Sequence, residues 1–206
     1  MYKLFFKRIF DLLLAIAALP FLLLIFVILG PIIYFEDKGP IMYNARRLGK
    51  KGKVFIMYKF RSMRMNSPDW RNVDGSTSNF KDDPRLTKIG KFIRKTSLDE
   101  TPQILNIIKG DMSVVGPRPD LPEAIRIYSL SEKRKLLVRP GITGYSQAYF
   151  RNSIQPSSKF NYDVYYVKHL SLLLDIKIFC LTLFNVVLRK NVFNEQSPLE
   201  NKDIDF

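Results

Sequence analysis

The sequence has one histidine, His169, and one cysteine, Cys180. That scarcity excludes an intrachain disulfide, a cysteine-based zinc site and a poly-histidine metal centre, and it suits Ser-His-Asp chemistry poorly. Cys180 reads as a packing residue of a reducing compartment. Catalysis, if any, falls to carboxylates, hydroxyls, lysine and arginine. Acidic residues are also short, with 19 Asp and Glu against 33 Lys and Arg, a formal net charge of +14. Such an excess implies an anionic partner: acidic lipid, phosphorylated substrate or nucleic acid. There is no P-loop, no glycine fingerprint for dinucleotides and no internal repeat. With 47% apolar residues in a chain of 206, one domain with a true core, or a small domain with an appendage, is expected.

What is present begins with a run from 12 to 35 that carries no charge. About 24 helical residues rising ~1.5 Å each suffice for a hydrocarbon core of ~30 Å, and no small-residue cleavage site precedes Glu36. Pro20 removes a helical hydrogen bond and kinks the axis, and Gly30-Pro31 interrupts the run again. Lys3, Lys7 and Arg8 stand before it, and Lys38, Arg46, Arg47, Lys50, Lys51 and Lys53 after it. Basic flanks on both sides favour both ends in the cytoplasm. A bent, re-entrant helix with arms at 12–19 and 20–30 satisfies that; the alternative is an ordinary kinked span.

Beyond it, 41–45 and 54–60 around Gly49-Lys50-Lys51-Gly52 predict a β-hairpin, and 66–83 a long loop. Over 85–95, Leu86, Ile89, Phe92 and Ile93 share one helical face while Arg85, Lys88, Lys91, Arg94 and Lys95 cover the other, an amphipathic helix suited to lipid headgroups. A short helix over 102–109 is expected to bury Ile104, Leu105 and Ile108 and to stop at Gly110; a capping box of Ser97 with Glu100 would start it a turn earlier. The apolar stretch 171–190 holds Asp175 and Lys177, so it is a buried or membrane-surface helix, not a span. The polar tail follows from 191. Three parts result: a basic flank and membrane helix (1–38), a body (39–190) and a tail (191–206).

Chemistry concentrates at Ser97-Leu98-Asp99-Glu100-Thr101-Pro102-Gln103, with two adjacent carboxylates near a helix N-terminus, where the ionised form is favoured. Such acids are more often surface charge or caps. If one attacks a pyrophosphate, the other can hold a hard cation, which implies Mg²⁺. Cations are on hand in Lys59-Phe60-Arg61-Ser62-Met63, in Gly116-Pro117-Arg118-Pro119 and in Arg139-Pro140-Gly141-Ile142-Thr143-Gly144, whose glycines permit close backbone approach. Each alone reads as a turn or ion pair; together with the acids they describe a diphosphate site.

These motifs, in this order, resemble the monotopic phosphoglycosyl transferases, the bacterial sugar transferase family, from the apolar segment to about 190. Further matches are Gly39-Pro40 with Arg46 and Gly49, Asp83-Pro84-Arg85 followed by Leu86-Thr87-Lys88-Ile89-Gly90, Asn106 with Lys109-Gly110-Asp111-Met112-Ser113, Arg151-Asn152, Asp163 with Tyr166, and Asp175. The resemblance implies transfer of a sugar-1-phosphate from a UDP-sugar to undecaprenyl phosphate with release of UMP. It makes Asp99 the nucleophile of a covalent phosphosugar intermediate, Glu100 the Mg²⁺ ligand, and Lys59, Arg61, Arg118 and Arg139 the phosphate-binding cations. It implies an α+β fold: a re-entrant helix kinked at Pro20, interfacial helices and a small sheet. It places the protein, as the small catalytic-core type, on the cytoplasmic face of the bacterial inner membrane among anionic phospholipids. Nucleic acid is then no partner. The chain departs from the family pattern at Leu19, at Thr101 and over 145–149, the last bearing on sugar choice. Sugar, pathway and oligomeric state stay open, a homodimer included. The rival reading is a membrane-tethered basic module that binds acidic lipid or nucleic acid without catalysis.

Overall fold

A computed structural model describes residues 2–71, 80, 82–150 and 156–188. A π-helical turn, Tyr2–Phe6, leads into helix α1, Lys7–Asp37. The uncharged run is therefore one continuous helix: it passes through Pro20 and Pro31, and the interruption expected at Gly30-Pro31 does not occur. Each proline deletes one N–H, but side chains this apolar offer the remaining amides no better partners than helical carbonyls.

Along α1 the buried positions Lys7, Asp11, Ala15, Leu22, Ile25, Leu29 and Ile33 form one stripe at helical spacing. The other sides expose Leu13, Ile16, Phe21, Leu24, Val27 and Ile28. Both ends of the helix are tied to the rest of the chain. At the start, Lys7 Nζ lies 2.7 Å from Asp175 Oδ2, Arg8 donates to the carbonyls of Ile107 and Ile108, and Asp11 accepts from Ser113 Oγ and Val114 N. At the finish, the buried Arg61 donates to the Ile33 carbonyl and to Asp37.

Strands β1 (Met42–Leu48) and β2 (Val54–Phe60) form the expected antiparallel hairpin, with Tyr43 opposite Lys59 and Ala45 opposite Met57. Its turn needs left-handed backbone at Lys51 and Gly52. Helix α2 covers Lys88–Lys95 and α3 covers Gln103–Lys109. Strands β3 (Ser113–Val115) and β4 (Gly141–Thr143) pair in parallel. Helices α4 (Tyr145–Tyr149), α5 (Pro156–His169) and α6 (Leu172–Val187) complete an α+β architecture. One apolar cluster joins Ala15 of α1 to Ile107, Met112, Val115, Tyr166 and Ile178; a second joins Leu22, Ile25, Leu29 and Ile33 to Phe60 and Ile93. Helix α1 thus contributes to both.

Several local expectations change. Helix α2 starts at Lys88, because Thr87 caps it by accepting from Gly90 N and Leu86 bridges to Met63. Arg85 is buried, not on a solvated face; it pairs with Asp83 and lies over the Trp70 ring. In α3 the buried residues are Gln103, Asn106 and Ile107, while Leu105 is exposed, since the helix turns its polar Asn106 inward to bond the β2 backbone. Ser97 has a left-handed backbone and makes no cap, so the capping box does not form. Cys180 is exposed on α6, not packed inside. Residues 72–79 and 81 of the loop over 66–83, and the tail from 191, lie outside the described residues.

At the N-terminal tie, Asp175 also accepts from Tyr2 and Tyr166, and Tyr166 donates to the Val115 carbonyl as well. The low-polarity surroundings and the neighbouring carboxylate push the Tyr166 hydroxyl well above its ordinary pKa, which keeps it a donor. Asp175→Ala leaves Lys7 only the longer pairing with Asp11, at 3.8 Å, takes an acceptor from both Tyr2 and Tyr166, and is expected to cost about 3–5 kcal/mol. Urea unfolding in detergent micelles checks this, and a loss under about 1 kcal/mol would mean the tie does not hold α1.

Candidate active site

The site starts where α2 ends. Ser97, at φ 59°, reverses the chain, and Leu98–Glu100 follows as a 3-10 turn closed by Thr101 Oγ1 donating to the Leu98 carbonyl at 2.8 Å. Buried Pro102 then opens α3. Asn106, one turn into α3, accepts from Tyr58 N and donates to the Ile56 carbonyl. That two-way bond sets α3 in register with β2, so that Lys59 faces the acidic pair.

Lys59 Nζ lies 2.7 Å from Glu100 Oε1, and Arg118 Nη2 lies 3.3 Å from the same oxygen. Glu100 is mostly shielded, Arg118 about half-exposed and Asp99 buried. The acids are driven apart in basicity. Burial raises Asp99 to about 6; Lys59 opposes this, and the adjacent Glu100 charge adds to it. Burial would raise Glu100 too, but Lys59 and Arg118 outweigh it and hold Glu100 well below the usual carboxylate range. Glu100 is therefore the fixed anion of the pair, and Asp99 is left next to cations that another acid already engages.

Of the residues singled out from sequence, Asp99, Glu100, Lys59 and Arg118 come together. Arg61 lies elsewhere: its guanidinium is committed to Asp37 and to the Ile33, Pro40 and Met63 carbonyls. Arg139 donates to the Gly110 carbonyl and neighbours Arg8. The glycines thought to admit a ligand admit backbone instead. A Cβ at Gly141 would fall 2.1 Å from Gly116 N, so the two glycine motifs cross each other, and that crossing carries Arg118 to the site. Pro20 sits inside α1.

Sequence reasoning missed Arg94, grouped above with the headgroup-facing charges. Its Nε donates to Ser62 Oγ at 2.9 Å; burial lowers its pKa, and the charge of Asp99 is the strongest influence opposing that. The clue was its spacing: it follows buried Ile93 and lies four residues from buried Gly90, so it flanks the inward face.

The profile of the family described as "Bacterial sugar transferase" matches residues 2–189. The chain belongs to the bacterial sugar transferase family. It is 41% identical over 186 residues to the uncharacterized sugar transferase EpsL of Bacillus subtilis, covering 90% of this chain and 89% of that one. It is 38% identical over 202 residues to the exopolysaccharide production protein ExoY of Sinorhizobium fredii, covering 91% and 88%. It is 39% identical over 204 residues to the undecaprenyl-phosphate galactose phosphotransferase of Salmonella typhimurium, covering 91% of this chain and 41% of that longer one.

Within this family member, the two departures at the site and its approach have plain local roles. Thr101 closes the 3-10 turn through its hydroxyl, and Leu19 packs on the cluster around Phe60 and Ile93. Among the described residues no group of three acids, histidines or cysteines forms a metal centre. The donor set still fits magnesium, which takes one or two carboxylates and completes its shell with substrate phosphates and water. Glu100 and Asp99 supply hard oxygens of that kind.

The raised pKa of Asp99 has a stability counterpart. Its folded value, about 6, exceeds the model-peptide value of 3.8. The fold therefore favours protonated Asp99, and a penalty grows as pH rises from about 4 through 6. Asp99→Asn removes it, so the variant is expected to melt higher than the parent at pH 8 and nearly level with it at pH 4. Thermal unfolding across that range checks the sign, and a variant less stable at pH 8 would contradict the assignment.

Proposed function

We propose that this protein is a membrane-associated phosphoglycosyl transferase. It moves a sugar-1-phosphate from a UDP-sugar to undecaprenyl phosphate and releases UMP, the first membrane step of glycoconjugate biosynthesis. The supporting relatives are described as an undecaprenyl-phosphate galactose phosphotransferase and, at 35% identity, a UDP-N-acetylgalactosamine-undecaprenyl-phosphate N-acetylgalactosaminephosphotransferase. The observation that carries the reading is the division of labour between adjacent acids: Glu100 is held by Lys59 and Arg118, and Asp99 is not.

In this mechanism an Asp99 carboxylate oxygen attacks the phosphorus that bears the sugar. The bond from that phosphorus to the bridging oxygen breaks, and UMP leaves with the electron pair. An oxygen of undecaprenyl phosphate then attacks the same phosphorus, and the acyl-phosphate bond to Asp99 breaks, restoring the carboxylate. Lys59 and Arg118 face the charge that builds on the phosphoryl oxygens, and Arg94 biases Asp99 toward its anion. Glu100 would hold Mg²⁺, which when bound neutralises diphosphate charge. We assign Arg61 and Arg139 to the same chemistry at one remove, through the ends of α1 and α3 that they bind; direct phosphate contact by Arg139 requires it to leave Gly110. A two-step route reuses one set of cations for both diphosphates.

The same reading makes residues 1–38 a re-entrant anchor, 39–190 the catalytic body and 191–206 a tail, with the body on the cytoplasmic face of the bacterial inner membrane. A helix of ~1.5 Å rise per residue spanning a ~30 Å core would carry one end far from a body on the other side, whereas both ends of α1 bind one body. Its exposed apolar side chains meet acyl tails, and Lys88, Lys91 and Lys95 of α2, beside the half-exposed Phe92, meet anionic headgroups.

Incubation in lipid nanodiscs with Mg²⁺, a panel of UDP-sugars and a polyprenyl phosphate should release UMP, and quenched turnover should show a phosphosugar adduct on Asp99 by peptide mass spectrometry. Asp99→Asn should bring release below detection, and Lys59→Met or Arg118→Met should cut kcat about 10²–10³-fold. A basic tether without catalysis predicts no adduct and indifference to Asp99→Asn.

Attack needs the carboxylate, so kcat/KM should fall about tenfold per pH unit below an apparent pKa near 6. A rate that stays flat down to pH 4.5 would count against Asp99 as the nucleophile.

A further inference from the structure

At strand β1 the surface opens into a concavity of about 190 Å³. It is lined by Tyr43, Arg46 and Arg47 of β1, by Asp69 and Arg71, and by Glu123, with Leu121 and Pro122 as apolar floor. Two lines of contact connect it to the acidic pair. Tyr43 stands directly across the hairpin from Lys59, on the same face of the sheet, and Lys59 binds Glu100. Arg118 binds Glu100 and also lies near enough to Arg47 that, after burial, its charge is the main cause lowering the Arg47 pKa.

The charges in this cleft do not cancel. Asp69 is taken by Arg71, and the nearby Asp120 is taken by Lys135 and Tyr128. Arg47 is half-buried, and among the described residues it makes no ion pair; its one side-chain bond is to the Arg46 carbonyl, at 3.0 Å. A guanidinium with repelling cations beside it and no ion pair, in a cleft where Asp69 is already taken by Arg71, is placed to receive an anion. Beside it, exposed Tyr43 offers an aromatic face, and Glu123 offers an acceptor.

Size and lining narrow the occupant. The cleft is smaller than the ~300 Å³ at which pockets begin to enclose whole drug-sized ligands, and its polar walls do not suit an isoprenoid chain. We propose that it binds the nucleoside monophosphate half of the donor. The phosphate that leaves would lie between Arg118 and Arg47, the pyrimidine on Tyr43 and a ribose hydroxyl toward Glu123. This rests on the donor reading above, because it places the sugar-bearing phosphorus at Asp99 and the second phosphate beyond Arg118. The hairpin would then recognise the leaving group and hold UMP after the first step.

The test is calorimetric titration of the full chain in nanodiscs with UMP and, separately, with inorganic phosphate. Arg47→Gln and Tyr43→Ala are each expected to raise the Kd for UMP about tenfold or more, and Tyr43→Ala should leave phosphate binding within about twofold. Exposed Tyr43 keeps the question answerable if Arg47→Gln fails to fold. Unchanged UMP affinity in Tyr43→Ala, or equal weakening toward UMP and phosphate, overturns the proposal. UMP binding that depends on Tyr43 and Arg47 in a protein that never forms an adduct on Asp99 would support the cleft while removing the covalent mechanism. An adduct with normal UMP affinity in both variants would do the reverse.

Discussion

Two carboxylates on adjacent residues in a shielded place cannot both ionise at little cost, and the arrangement around Asp99 and Glu100 answers that constraint. Desolvation acts to raise both acids, and the charge of Glu100 raises Asp99 further. The fold resolves the conflict by spending its closest cations on one of them. Lys59 and Arg118 converge on a single oxygen of Glu100, which becomes a permanent anion, while Asp99 is left between protonation states near neutral pH. In the proposed mechanism that placement is what would make Asp99 a usable nucleophile, its charge reachable yet poorly solvated.

Much of the rest is scaffolding for that convergence. Lys59 comes from β2, the acids from the turn before α3 and Arg118 from the crossing of two glycine motifs, so three separate segments must be set to ångström tolerance. Asn106 registers the first two through backbone bonds in both directions. The third is braced behind Arg118, where buried Lys135 joins Asp120 to Asp163 at 2.7 and 2.6 Å. A pair of carboxylates on one lysine keeps that lysine charged despite burial, since the two attractions together exceed the desolvation cost. Helix α1 is part of the same frame. Its buried Asp11 bonds β3, and Arg61 grips its other end, so the position of α1 is tied to that of the frame that carries the acids.

Local patterns carried well from sequence to structure. The hairpin, the stop at Gly110 and the helix over the last apolar stretch follow from alternation, a left-handed glycine and period, all properties of neighbouring residues. The failures share a cause, which is competition from a partner distant in the chain. Leu105 loses its inward place to Asn106 because β2 needs a bond there. Arg85 leaves the cationic face because Asp83 and Trp70 draw it in. Arg61 and Lys59 sit two residues apart on one motif, yet one clamps the membrane helix and the other reaches the acid; strand alternation alone does not choose between those fates. At the site, the acids, Lys59 and Arg118 were legible as a motif series, whereas Arg94 was not, because it was first counted with the headgroup-facing charges of α2.

Charge balance links these pieces. At rest, three cations, Lys59, Arg94 and Arg118, face two carboxylates, leaving roughly one positive charge when both acids are ionised. A nucleotide sugar brings a diphosphate with about two negative charges, which turns the balance negative at the moment an anion must attack an anion. Repulsion of that kind in a shielded site is worth several kcal/mol, so further positive charge has to arrive with the donor or be waiting beside it. In the proposed reaction a divalent cation on Glu100 would supply one part. Arg47, which makes no ion pair among the described residues, would supply the other from the cleft proposed for the leaving half. On that reading a cation without an ion pair is tolerated there because its cost in the empty protein would be returned as attraction when substrate binds.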